Sequence, residues 1–498
     1  MKISIPVEAA QLAGYSALIQ DYDLNVPMPD RLFAIGRKHQ VAEINAWVLL
    51  TPRHAPPNSL LGHLTFALKY EGIHLWLLKA LFQKIPPDIM QQTIQLEPTG
   101  AYSRRVWFLY EWLLQQRLDL SDATLGGYVD LVSERLQYAG RVEKSPRHRV
   151  NNNLPGTQDF CPLIRKTPKL ERWLRANWQG QALDVVGNCH PDVLARAASF
   201  LLLADSKASF TIEGEQPPQS RVARWGRVIA MAGKQPLSLA ELERLQQLVL
   251  SDRLFIQLGL RQAGGFIGLH DRYTGAPLPE HISAKADDLP SLMQGLFETY
   301  ARLKQTDFPP VLLATMMAFG FVFIHPFEDG NGRLHRYLIH HVLAETGFVP
   351  KGLVFPVSSV ILQQIETYRR VLQAYSLPRL DCIEWQVSPQ NNVVVTNQTA
   401  DLYRYFDATM QAEFLADCIA TTISELLPQE VDYLNKYDAF VARVNEQLDW
   451  PQKMTDLLVR FLSQNQGRLS ACARAKEFVG LTDGEVAALE QVYQAIFM

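Results

Sequence analysis

The 498 residues carry 48 Lys+Arg against 51 Asp+Glu, for a net charge of −3, with 47% apolar and 20% charged side chains. That length exceeds one ordinary hydrophobic core and predicts two or three domains. The near-neutral balance does not suggest nucleic acid or a membrane surface as the main partner, though it leaves room for local basic patches. The cysteines, Cys161, Cys189, Cys382, Cys418 and Cys472, are scattered with no C-x-x-C pair, which fits a reducing cytoplasm. Met1 to Pro6 shows no basic region leading into an apolar run, so no signal peptide is expected.

From residue 1 to about 140 the pattern reads as mostly helical, with apolar runs at Leu60–Phe82 and Val106–Leu120 broken at Pro56-Pro57 and Pro86-Pro87. Thr99 to Arg105 reads as a solvated helix start. Residues 143–160, with Ser145-Pro146, a run of asparagines and Pro155-Gly156, have the composition of a boundary loop. An apolar helix is predicted from Pro191 into Ser209-Phe210-Thr211-Ile212-Glu213-Gly214-Glu215, where an acidic residue followed by glycine marks a helix end. Helical patterns follow at 219–232 and 238–249. The chain then changes character at 259–270, where glycines separated by apolar residues suggest a short hairpin, either a functional flap or a structural turn.

Val311 to Ile324 is the longest apolar stretch, short for a membrane span and suited to the central helix of a bundle. It leads into His325-Pro326-Phe327-Glu328-Asp329-Gly330-Asn331-Gly332-Arg333-Leu334-His335-Arg336. Pro326 should take His325 out of helical geometry and hold its imidazole at the mouth of that helix. Asp329 to Gly332 form a side-chain-poor turn able to present N–H groups to an anion, at the positive end of the next helix. Arg333 and Arg336, three apart, can reach one polyanionic ligand together. A base, a carboxylate suited to a hard metal, an anion-binding turn and two cations point to phosphoryl or nucleotidyl transfer. His335, His340 and His341 lack zinc-ligand spacing and read as packing or surface residues. Downstream, a helix is expected from 355–359 to about Tyr375, a strand at 393–396 and helices from Ala400 onward. Arg468, Arg474 and Lys476 near Gly480 read either as a charged surface or as a small helix-turn-helix-like unit.

The 325–336 stretch resembles the Fic family signature, His-x-Phe-x-(Asp/Glu)-Gly-Asn-Gly-Arg-x-x-Arg, at every specified position. Ser209, Glu213 and Gly214 are similar to the inhibitory (Ser/Thr)-x-x-x-Glu-(Gly/Asn) segment that one regulatory class of that family carries upstream of its core. The resemblance implies a mainly α fold: a Fic-type helical bundle core with a short β-hairpin flap, flanked by helical N- and C-terminal regions. The corresponding division is 1–160, 161–385 with the inhibitory segment, and 386–498. It implies transfer of AMP from ATP to a Ser, Thr or Tyr hydroxyl of a protein, which can include the chain itself. His325 would be the general base, Asp329 the Mg²⁺ ligand, and Gly330, Asn331, Gly332, Arg333 and Arg336 the phosphate site, with Phe327 anchored in the core. Phe266, Ile267 and Gly268 would align the target on the flap. The intact Gly-Asn-Gly-Arg favours AMP over phosphate or phosphocholine as the transferred group. The alternatives are hydrolytic removal of AMP at the same site, or a regulatory module without catalysis. An unperturbed histidine pKa would suffice for the base, and an ion pair from Glu213 to Arg336 is expected to occupy the place of a phosphate.

Overall fold

The computed structural model describes residues 6–187, 189–250 and 256–498; residues 1–5, where a leader peptide was not expected, lie outside them. The fold is mainly α. Its centre is the helix Pro310–Ile324, which starts on a proline at its first turn and buries every side chain from Val311 to Ile324. A helix apolar on all sides has no solvent face to offer and must be surrounded. Its hydroxyl, on Thr315, is satisfied by the Val311 carbonyl at 2.8 Å. Around it pack Leu289–Leu303, Thr409–Thr421 and the helix that follows it, Asn331–Glu345. Gly320 is required there: a Cβ would lie 2.3 Å from the Phe160 ring.

The helix Pro191–Ile212 lies across the bundle, against Gln219–Ile229, Val357–Gln363 and Leu427–Asn445. Asp205, fully buried, fixes it there. Its carboxylate accepts the Ser358 backbone N–H at 2.6 Å and hydroxyl at 3.1 Å, and pairs with His340 Nε2 at 2.9 Å. The helix ends at Glu213 with Gly214 at φ 74°. The Gly214 N–H bonds the Thr211 carbonyl and the Glu215 N–H reaches back to Phe210, the paired bonds of a Schellman stop.

The expected hairpin is present. Phe266–His270 pairs antiparallel with Pro277–Ile282, with an irregularity between Ile267 and Gly268. Gly268, at φ 153°, allows a close approach, since a Cβ would meet the Leu278 carbonyl oxygen at 2.2 Å. The strand Val393–Val395 also forms, paired with Trp385–Val387. The helix expected from 355–359 to Tyr375 is divided at Gln364 into Val357–Gln363 and Ile365–Leu380.

The N-terminal region departs from an all-helical reading. Its helices Leu60–Phe66, Leu75–Lys84, Pro87–Gln95 and Ala101–Leu114 are joined by a four-stranded sheet of Ala9–Leu12, Leu32–Gly36, Trp47–Leu50 and Ala42–Ile44, in that spatial order. These strands are short, and only the middle two are almost wholly apolar, so no sustained alternation marked them. Residues 143–145 and 150–152, read as loop, also pair. Arg104 and Arg105 are buried rather than solvated, donating to the carbonyls of Gly127, Arg149 and Leu131. Past residue 427, helices pack around Phe440, Leu458, Leu462 and Tyr493. Arg474 there is ion-paired with Asp483, and Arg468 and Lys476 are exposed. Among the described residues, no helix is long and apolar enough to cross a membrane.

Candidate active site

His325 caps the central helix in the left-handed region, φ 53° and ψ 60°. For a non-glycine residue this conformation is costly and persists only where surroundings enforce it. Here the carbonyls at the helix end are taken up one after another. Phe321 O accepts the His325 N–H at 2.9 Å, Val322 O faces His325 Nδ1 at 3.4 Å, Phe323 O faces His281 Nε2 at 2.9 Å, and Ile324 O accepts the Ala284 N–H at 3.3 Å. A carbonyl can only accept, so the contact with Val322 puts the His325 proton on Nδ1 and leaves the Nε2 lone pair free for a substrate. Burial, with Arg261 nearby, lowers the His325 pKa to about 4. The imidazole is therefore neutral throughout the physiological range, whereas the sequence suggested an unperturbed group.

The turn after His325 is organised by its own polar atoms. Phe327 points into the core against Phe321, with ring centroids 5.9 Å apart. Asn331, expected in the phosphate cradle, uses both ends of its side chain on Phe327. Its Oδ1 accepts the Phe327 N–H at 3.1 Å and its Nδ2 donates to the Phe327 carbonyl at 2.8 Å. What remains to face the cavity is its backbone N–H in the helix's first turn, where such groups have no intrahelical acceptor. Gly330 stands at φ 93° and donates to Asp329 Oδ1 at 2.6 Å. Gln246, fully buried, supports the turn from outside by donating to the Asp329 carbonyl at 3.1 Å and accepting the Gly259 N–H at 2.8 Å.

Arg333 and Arg336 are both buried and reach the same place. Arg336 donates to Glu213 Oε1 at 2.8 Å, to Ser209 Oγ at 3.0 Å and to the Ser209 carbonyl at 2.7 Å. The expected ion pair from the upstream helix is therefore present. The Glu213 carboxylate also lies directly over Gly332, where a Cβ would come within 2.1 Å of Oε1. One carboxylate thus sits against both the arginine and the N-terminal turn of the motif helix. Gly214 supplies the chain reversal just beyond it.

Arg333 lies 2.9 Å from Glu215 and 3.0 Å from Asp329, and its guanidinium stacks over Phe210 at 5.5 Å. Glu215 also pairs with Arg221 at 2.9 Å. It was not singled out from sequence, because a carboxylate two residues past a helix end carries no pattern of its own. Among the described residues Arg333 Nε is buried with no hydrogen-bond partner, which suits a site that accepts further anionic oxygens.

Asp329 is the carboxylate beside this anion site. Among the described residues there is no cluster of three or more His, Cys, Asp or Glu able to hold a metal, so a cage built wholly of protein is not available. A single carboxylate fits Mg²⁺, which keeps waters and takes phosphate oxygens for most of its shell. His335, His340 and His341 are buried packing residues, hydrogen-bonded to Ala318, Asp205 and Glu345.

A cavity of about 310 Å³ opens between these elements. Glu213, His325 and Gly332 line one side, Ile365, Tyr368 and Leu372 the other, and Ile267 of the hairpin its rim. The hairpin leaves Ile267, Leu269 and Leu278 exposed. Phe266 packs inward with Ile282, Ile383 and Val393. The geometry therefore joins a neutral imidazole, an anion seat with buried arginines, a carboxylate at its edge and an apolar slot.

Residues 236–343 match the family described as Fic/DOC family. A protein adenylyltransferase Fic from Aedes aegypti is 29% identical over 163 residues, which cover 32% of this chain and 28% of that protein. One from Nematostella vectensis is 30% identical over 79 residues, 16% of this chain and 18% of that protein. The chain thus spans less than a third of the length of these curated relatives. A solved Fic family protein from Desulfovibrio desulfuricans G20 aligns over 64% of this chain and 85% of its own, at 19% identity and a TM-score of 0.35.

Proposed function

Since the chain carries a Fic/DOC family domain at residues 236–343, we propose that it is a protein adenylyltransferase, moving AMP from ATP to a Ser, Thr or Tyr hydroxyl. The observation that carries this reading is the neutral, left-handed His325 set beside an anion seat made by the first turn of the motif helix with Arg333 and Arg336. The two matched relatives are each named a protein adenylyltransferase Fic.

In this mechanism the apolar slot of Ile365, Tyr368 and Leu372 takes the base of ATP, and the helix N-terminus with the arginines takes its phosphates. An extended target segment lies along the hairpin at Phe266, Ile267 and Gly268, in the manner of an added strand, and its hydroxyl meets His325 Nε2. The imidazole removes the hydroxyl proton as the oxygen bonds to the α-phosphorus. The bond to the bridging oxygen breaks, and pyrophosphate leaves. Nδ1–H stays on the Val322 carbonyl and holds the ring in orientation through the transfer. Asp329 would hold Mg²⁺, which when bound spreads the charge of the phosphates. Glu213 and Ser209 hold Arg336 in the resting protein, so the basal rate is low. The hydrolytic reaction, with Glu213 aligning a water against an AMP-modified hydroxyl, is the second reading, supported by the position of that carboxylate over Gly332.

Mass analysis after incubation with ATP and Mg²⁺ tests the reading. A gain of one AMP on the chain or on an added acceptor is expected. His325→Ala should abolish it, with a loss of about 10²–10⁴ in rate while ATP binding persists. Equal incorporation by His325→Ala would overturn the assignment.

A further inference from the structure

Arg261 lies outside the motif, on the segment that enters the hairpin, and is only 4% exposed. Its backbone N–H donates to the Pro326 carbonyl at 2.9 Å, and Leu260 bridges Phe327 in the antiparallel sense. Its side chain then divides three ways. Nε donates to the His325 carbonyl at 2.9 Å, Nη1 to the Ala263 carbonyl at 2.7 Å, and Nη2 to the Ala284 carbonyl. The Ala284 N–H in turn caps Ile324. One guanidinium therefore joins both ends of the hairpin to the residue whose backbone is held in the left-handed region.

We propose that Arg261 is the positioning residue of the His325 base, fixing the left-handed turn that aims Nε2 into the cavity and coupling that turn to the hairpin on which the target would lie. This rests on the reading of His325 as base. A left-handed non-glycine residue needs surroundings that over-determine it, and among the described residues Arg261 is the side chain that bonds both the His325 carbonyl and the segment leaving the far strand. A fixed fork of donors suits that task, and a single ammonium cannot satisfy the same carbonyls together. Buried guanidinium bonds of this kind hold geometry tightly, and misplacement of a base by about 1 Å costs on the order of 10²-fold.

The arrangement has an electrostatic consequence as well. The groups facing His325 are Arg261, His281 with its ring 6.5 Å away, and Glu213, Glu280 and Arg369 around the cavity. His281 is itself neutral, its pKa pushed down to about 3 chiefly by burial. Arg261 adds to the effect of burial in keeping His325 unprotonated.

The test uses the full chain with Glu213→Gly as parent, comparing Arg261→Met and Arg261→Lys. Arg261→Met should lower kcat for AMP incorporation by roughly 10–100-fold, leave the ATP Kd within about twofold, and move the acid limb of the pH profile upward. Arg261→Lys should recover part of kcat and keep the acid limb low. The His325 ring titration, followed by NMR, should move upward in Arg261→Met and stay low in Arg261→Lys. Unchanged kcat in Arg261→Met, or a fall in kcat matched by an equal loss of ATP affinity, overturns the proposal. If Arg261→Met does not fold, full kcat in Arg261→Lys overturns it and a partial loss at unchanged ATP Kd supports it. If the parent transfers no AMP, the adenylyltransferase reading has failed. The His325 ring placement is then read directly by NMR: loss of the hydrogen-bonded Nδ1–H signal at the Val322 carbonyl in Arg261→Met supports the proposal, and its persistence overturns it.

Discussion

Glu213→Gly should release the enzyme, and the structure sets the size of the effect. The carboxylate accepts from Arg336 at 2.8 Å, and their side chains are 33% and 2% exposed respectively. A hydrogen bond to a charged partner nets about 1.5–3 kcal/mol, and the carboxylate's partial exposure places this one near 1.5–2 kcal/mol. At about 1.36 kcal/mol per decade, AMP transfer should rise roughly 10–30-fold. The substitution disturbs little else. Glu213 stands at φ −83° and ψ 7° at a helix end, which glycine accepts, and Arg336 keeps its two bonds to Ser209. Arg336→Ala would not mimic the release, because it removes the clamp with the lock. The assay is incorporation of label from α-labelled ATP with Mg²⁺, comparing wild type, Glu213→Gly and Glu213→Gly/His325→Ala at equal ATP. No increase in the single variant, or an increase that survives loss of His325, would refute the mechanism.

The pH profile of Glu213→Gly should stay flat downward through pH 6.5 and fall only on approach to about 4. Protonating Nε2 removes the base, and burial lowers the pH at which this happens; a fall centred near pH 6.5 in the pH–rate curve would contradict the buried neutral ring. Asp329→Asn keeps an acceptor for the Gly330 N–H but loses the charge, so the half-saturating Mg²⁺ concentration should rise at least about tenfold, and an unmoved titration would exclude Asp329 as the ligand. Glu215→Ala strips a carboxylate from both Arg221 and Arg333, whose side chains are 13% and 2% exposed, and should cost about 3 kcal/mol of folding stability. Denaturant unfolding at matched m-values would reveal a smaller cost if the pairs are superficial.

The parts of the site that were legible are those packed into one stretch of chain. A helix that is apolar on every side, an X-Pro step, a glycine turn and two arginines three apart each have local physical consequences, and all of them occur at Val311–Arg336. The pairing of Glu213 with Arg336 was legible because two separate patterns shared one resemblance. Arg261, Gln246 and Asp205 were not legible. Each acts by a side chain crossing to a segment distant in sequence, and nothing in their own neighbourhoods marks a buried polar residue. The His325 pKa was missed for a related reason, since burial is a property of the assembled bundle. The N-terminal strands escaped because short, nearly continuous apolar runs do not separate strand from helix. Asn331 was placed in the phosphate turn without distinguishing its atoms: sequence places an amide there, and only the fold shows both its ends committed to Phe327.

Two carboxylates on one helix end face two buried arginines, and their exposures separate their roles. Buried guanidinium groups without counter-charges are expensive, and breaking such a pair from one side costs more than the pair itself contributes. Glu215, at 16% side-chain exposure and shared between Arg333 and Arg221, is therefore, with Asp329, the counter-charge that lets Arg333 remain buried beside Phe210. Glu213, at 33%, holds Arg336 together with Ser209, whose hydroxyl and carbonyl remain when the carboxylate leaves. Arg336 can thus exchange one anion for another without being stranded. In the proposed reaction an incoming phosphate would displace Glu213 at the cost of a single charged hydrogen bond, while Glu215 would maintain the fold of the segment from which Glu213 projects. On that reading Glu213 would be a releasable lock because Glu215 beside it is not released.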